Sequence, residues 1–137
     1  MKTILVVDDQ HRIRRMYSSV FKQEGYRVLE ARNAGEASDI IETGDVDLML
    51  LDIKMPEVDG VILYDVARLF RNDLKVIVAS VYPLDDQKNL IKGAADYFDK
   101  SEGIKVLKEK VNKILSARTK EAMSDGDYSD TVCEREE

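Results

Sequence analysis

The 137-residue chain is 44% hydrophobic and 35% charged with only two prolines, which suits one globular domain with its own core. Asp and Glu number 27 against 21 Lys and Arg, and the net charge of −6 argues against direct nucleic-acid binding, which needs a basic face. The single cysteine, Cys133, excludes an internal disulfide, and no apolar stretch approaches the roughly 20 residues of a membrane span.

In chain order, short apolar runs alternate with amphipathic stretches, the pattern of a parallel sheet covered on both faces. The first strand is expected over 3–7. The run after Lys2 is very short and ends in Asp8-Asp9, so it does not read as a signal peptide. A helix follows Asp9 and reaches about Glu24, with Ile13, Met16, Tyr17, Val20 and Phe21 at three- and four-residue spacing and Gly25 as its stop. A second strand spans 26–31. Asn33 and Glu36 have the spacing of a capping box for a helix reaching about Glu42. The near-continuous apolar run 46–51 is the mark of a strand buried on both faces. A loop over 53–60 holds Pro56 and Asp59-Gly60, and a third helix spans about 61–71. The fourth strand is 75–79. Pro83 opens a helix that reaches about Lys92 and stops at Gly93. The fifth strand is 96–99, and a last helix starts near Gly103 and buries Ile104, Leu107, Val111, Ile114 and Leu115.

The domain is assigned to 1–116. Residues 117–137, with seven Asp/Glu and three Lys/Arg, form an acidic C-terminal segment that reads as disordered.

Asp8-Asp9, Asp52, Ser80 and Lys100 each close one of the apolar runs. In a parallel α/β sheet the C-terminal strand ends share one edge, where ligands bind. Three carboxylates gathered there require a cation, and oxygen ligands suit Mg²⁺. A hydroxyl and an ammonium opposite them suit a phosphoryl group. The chemistry expected is metal-assisted phosphorylation of an aspartate. Asp9 also has a plainer reading, as the N-cap of the first helix.

With these residues in order, the chain resembles the receiver domains of two-component response regulators. The resemblance covers residues 1–116. Its motifs are Val7-Asp8-Asp9, Leu50-Leu51-Asp52-Ile53-Lys54-Met55-Pro56 with Asp59-Gly60, Ser80, and Tyr97-Phe98-Asp99-Lys100. Val7-Asp8-Asp9-Gln10, the run from Phe21 to Tyr26, Lys54 and Tyr82 look like the single-domain receivers of sporulation phosphorelays. The resemblance implies a three-layer α/β/α sandwich: a flavodoxin-like (βα)5 fold with a five-stranded parallel sheet in the order 2-1-3-4-5.

It implies further that a phosphohistidine on a sensor kinase or phosphotransfer protein gives its phosphoryl group to Asp52. Asp8, Asp9, Asp52 and the backbone carbonyl of Lys54 would hold Mg²⁺, while Lys100 and Ser80 take the phosphoryl oxygens. Ser80 and Tyr97 would form the conformational switch. A cytoplasmic location fits, with no membrane or nucleic-acid contact. A downstream protein partner and a homodimer formed on phosphorylation remain open.

Three departures from the family stand out. Val81 replaces a small residue and would crowd the acyl phosphate. Ser101 replaces the proline after the lysine. The Ser80–Lys100 segment is short, which places the change in the fourth helix and alters the usual signalling face.

Two alternatives are weighed. A receiver cut from a larger DNA-binding transcriptional regulator would show a further apolar-periodic segment after the last helix, and none is seen to residue 137. An aspartyl-phosphate enzyme of the haloacid dehalogenase type carries an acid two residues after its nucleophile. Here that place is Lys54, so the chain does not read as an enzyme.

Overall fold

In the computed structural model, residues 1–53 and 60–124 are described, with side chains through 116. The elements in order are β1 (Thr3–Val7), α1 (His11–Gln23), β2 (Arg27–Ala31), α2 (Ala34–Thr43), β3 (Leu48–Leu51), α3 (Gly60–Phe70), β4 (Lys75–Ser80), α4 (Leu84–Leu90), β5 (Asp96–Asp99), a 3₁₀ turn (Lys100–Glu102) and α5 (Ile104–Ser124). All strand pairs are parallel and the sheet order is β2-β1-β3-β4-β5.

Successive residues of a strand face opposite sides, and two cores follow from that alternation. Leu5, Val7, Met49, Leu51, Val76 and Val78 meet Ala37 and Ile41 of α2 and Leu63 and Ala67 of α3. Ile4, Val6, Leu48, Leu50, Ile77 and Ala79 meet Tyr17 and Phe21 of α1 and Leu107, Val111 and Leu115 of α5. β1 and β3 are therefore buried along their whole length.

Several local expectations are corrected. The third strand is expected from Val46 but begins at Leu48; just before it the Asp47 N–H donates to the Thr3 carbonyl at 2.9 Å and the Asp47 carboxylate accepts from the Thr3 N–H at 2.8 Å. On α1, Met16 is 45% exposed, and the buried place goes to Ser18, whose hydroxyl donates to Glu30 at 2.7 Å. Asn33 caps α2 by accepting from the Glu36 N–H at 2.8 Å. The Glu36 carboxylate, however, reaches the Arg32 N–H at 2.9 Å rather than closing the box on Asn33. Pro83 is the N-cap of α4 and not a residue within it, and that helix ends at Leu90, short of the expected Lys92. α5 runs past 116 to Ser124. Its continuation is rich in good helix formers, so local propensity carries the helix beyond its apolar seam.

Phe21 is fully buried and packs with its ring 6.2 Å from that of Tyr26. Phe21→Ala is expected to cost about 3–5 kcal/mol, because the cavity opens between α1 and a rigid sheet. Urea unfolding would read this as a lower midpoint with an unchanged slope.

Candidate functional site

The sheet edge gathers the predicted acids. One carboxylate oxygen each from Asp8, Asp9 and Asp52 lies within 4.8 Å of the others. Asp8 and Asp52 are 2% and 6% exposed, while Asp9 is exposed. β1 and β3 are hydrogen-bonded neighbours, and Leu51 stands beside Val7. The acids following each strand are therefore brought together by register alone. The Asp52 N–H donates to the Val7 carbonyl at 3.1 Å, and the Asp8 N–H to that of Ala31 at 3.2 Å, so both backbones continue the ladder by one step.

Asp8 uses its two oxygens differently. Oδ1 accepts from the Gln10 N–H at 2.9 Å and Oδ2 from Lys100 Nζ at 2.7 Å. The same ammonium lies 3.3 Å from Asp52 Oδ2. The expected pair of Lys100 with Asp52 is thus present, and the shorter contact is to Asp8. The plainer reading of Asp9 fails: the N-cap of α1 is Gln10, with no side-chain cap bond. Asp9 keeps its carboxylate on the solvent side of the cluster, where a cation would enter. Two buried acids and one exposed acid, all oxygen donors, match what Mg²⁺ accepts while it retains water.

Ser80 ends β4, fully buried, with its Cα paired to that of Asp99, the residue before Lys100. Its hydroxyl accepts from the Tyr82 N–H at 3.3 Å. Val81 is 63% exposed and Tyr82 is half-buried against the α2/α3 core. The Tyr97 hydroxyl donates to the Ile91 carbonyl at 2.8 Å and accepts from the Ala94 N–H at 3.3 Å, tying its ring to the turn after α4. His11 is exposed, 3.3 Å from Arg14. Lys54 lies outside the described residues.

The Lys100 turn is built without the family's proline. Asp99 accepts from both the N–H and the hydroxyl of Ser101, at 2.9 and 2.8 Å, and the Asp99 N–H donates to Glu102 at 3.0 Å. The Ser101 backbone N–H, and then its hydroxyl, hold the Asp99 carboxyl below its ordinary range against a small opposing effect of desolvation. Tyr17 is pushed the other way: burial first, then the charges of Asp8 and Asp52, keep its hydroxyl neutral.

Two supporting residues were not singled out as site residues in the sequence. Arg14 donates to the Asp8 carbonyl at 2.8 Å and pairs with Glu30 at 3.4 Å, which pins the Asp8-Asp9 bend from α1. Nothing in the local pattern marked it. Gly60 lies so close to the Asp52 strand end that a Cβ would overlap the Asp52 carbonyl oxygen and stand 2.7 Å from Ile53 Cα. The Asp-Gly dipeptide was a signal, though of a turn and not of this approach.

The fold and the acid cluster define a phosphoryl-accepting α/β signalling domain. The family description "Response regulator receiver domain" matches residues 4–112, and the chain belongs to that family. It is 34% identical over 118 residues to sporulation initiation phosphotransferase F of Bacillus subtilis, covering 85% of this chain and 95% of that protein. Similarity to the response regulator SaeR of Staphylococcus aureus is 32%, over 88% of this chain and 53% of SaeR. Among solved structures, the response regulator TrrA of Thermotoga maritima in complex with Mg²⁺-BeF superposes with a TM-score of 0.76 at 36% identity, covering 82% of this chain and 98% of that one. TrrA in complex with the histidine kinase ThkA gives 0.74 at 36%, covering 84% and 99%.

Removing Lys100 leaves Asp8 and Asp52 without their ammonium. In EDTA, Lys100→Ala is expected to lose about 3 kcal/mol or more of stability. Mg²⁺ should restore most of this, because the ion supplies the missing positive charge. A Mg²⁺-induced rise in melting temperature no greater than in the unsubstituted protein would contradict the shared-charge account. If Asp52 is the phosphoacceptor, Gly60→Ala should slow phosphorylation by acetyl phosphate at least about tenfold, since the strand end at Asp52 must shift and attack geometry is strict. An unchanged rate would show that the close approach does not position Asp52.

Proposed function

We propose that this receiver takes a phosphoryl group from a phosphohistidine onto Asp52 and passes it on within a phosphorelay. The phosphorus–nitrogen bond of the donor breaks, a bond from an Asp52 carboxylate oxygen to phosphorus forms, and the imidazole keeps the electron pair. Asp8, Asp9 and Asp52 would hold Mg²⁺; Lys54, whose carbonyl the family resemblance implies as a further ligand, lies outside the described residues. Bound there, the ion neutralises the charge that gathers between carboxylate and phosphoryl oxygens.

Lys100 moves from carboxylate to phosphoryl oxygen, Ser80 donates to a second one, and Tyr97 follows as the switch. The observation that carries the reading is the 3.3 Å contact of Lys100 with an Asp52 already inside a three-acid cluster. The donor is a histidine kinase or histidine phosphotransfer protein, a reading supported by the complex of TrrA with the histidine kinase ThkA. The match over 95% of sporulation initiation phosphotransferase F supports a phosphotransfer role. We place the protein in the cytoplasm as a signalling domain and not a turnover enzyme. Among the described residues no helix is long and apolar enough to cross a membrane.

The test is intact mass after incubation with acetyl phosphate and Mg²⁺. One phosphate-sized addition is expected, absent in EDTA and absent in Asp52→Asn. An equal yield in Asp52→Asn would overturn the assignment.

A further inference from the structure

α4 carries a feature that the site chemistry leaves unused. Gln87 is fully buried in a seven-residue helix, at a place where an apolar side chain would ordinarily pack. Its Nε2 faces three main-chain carbonyls: Tyr82 at 2.8 Å, Phe98 at 2.9 Å and Ser80 at 3.4 Å. All three are acceptors, so the nitrogen must face them and the orientation of the amide is determined. Two hydrogens serve the two short bonds, and the Ser80 carbonyl shares one at longer range. Oε1 is buried without a hydrogen-bond partner among the described residues. An unpaired buried acceptor costs stability; an apolar side chain of the same shape would avoid that cost but would leave the Tyr82 and Phe98 carbonyls without this donor.

What the amide does is geometric. One nitrogen joins the end of β4, the loop after it and β5 just before the Asp99-Lys100 turn. Gln87 also leads onward. Its carbonyl accepts from the Ile91 N–H at 2.9 Å, and the Ile91 carbonyl accepts from the Tyr97 hydroxyl at 2.8 Å. Ser80, Lys100 and Tyr97, which stand on three segments, are thus connected through a single side chain and its own helix.

We propose that Gln87 is a positioning residue that couples Ser80 to Lys100 and Tyr97, so that a displacement of Ser80 toward a phosphoryl group on Asp52 is carried to β5 and to the end of α4. This rests on the phosphoacceptor reading of Asp52. Hydrogen-bond networks that join rigid secondary elements are among the structures that carry such a coupling. In this chain the coupling accompanies the shortened Ser80–Lys100 segment.

The experiment is amide NMR of the ¹⁵N-labelled full chain, titrated with Mg²⁺ and then with beryllofluoride as an acyl phosphate mimic. In the unsubstituted protein the side-chain NH₂ pair of Gln87 should shift on beryllofluoride binding while that of Gln23, on α1, stays still. In Gln87→Met, which keeps length but loses the donors, Mg²⁺ affinity should remain within about twofold, because the metal ligands lie on β1 and β3. Shifts at Ser80–Tyr82 should persist, while those at Ile91 and Phe98–Lys100 should fall by at least about half. A role in packing alone would not separate the two groups of signals. Full retention of the Phe98–Lys100 shifts in Gln87→Met would overturn the coupling. So would a Gln87 NH₂ pair that does not move in the unsubstituted protein, a measurement that needs no variant to fold. Absence of any beryllofluoride response at the Asp52 amide would instead overturn the phosphoacceptor reading and this inference with it.

Discussion

Asp8 and Asp52, both buried, share the ammonium of Lys100. Like charges brought together away from water raise the energy of the folded state unless a cation answers them. The lysine does so from a distant turn, reaching across the sheet edge from the end of β5. The same demand makes the site receptive to Mg²⁺. Charge balance at this edge links the folding of the domain to its chemistry.

The sheet makes that arrangement inexpensive in backbone terms. Parallel register sets Val7 beside Leu51 and Ser80 beside Asp99, so residues just beyond the strands converge without special loop structure. The surrounding polar contacts then refine it. Arg14 holds the Asp8 carbonyl, the Gln10 N–H fixes one Asp8 oxygen, and the Asp99, Ser101 and Glu102 contacts shape the lysine turn. That turn replaces a proline constraint with hydrogen bonds. Gly60 contributes by absence, leaving room for α3 to close against the Asp52 strand end.

Membership of the receiver family explains the acids, the hydroxyl and the lysine as a set. The seven-residue α4 and its buried glutamine lie beside that set. Fold alone does not assign a role to such a residue. Its bonds to the Tyr82, Phe98 and Ser80 carbonyls join the end of β4, the loop after it and β5, and the proposed coupling rests on them.

The sequence by itself determined the strands, their order of appearance and the residues at their ends. Apolar runs and helical spacing are local properties, and the strand ends of a parallel sheet share one edge whatever the loops do. It could not decide that Lys100 would sit closer to Asp8 than to Asp52, that Gln10 and not Asp9 would cap α1, or that Met16 would yield its buried place to Ser18. Nor could it place Arg14, Gly60 and Gln87 at their work. Each of these depends on which side chain meets which backbone atom across elements far apart in the chain. That is settled by packing in three dimensions, where a buried polar group must find its partner.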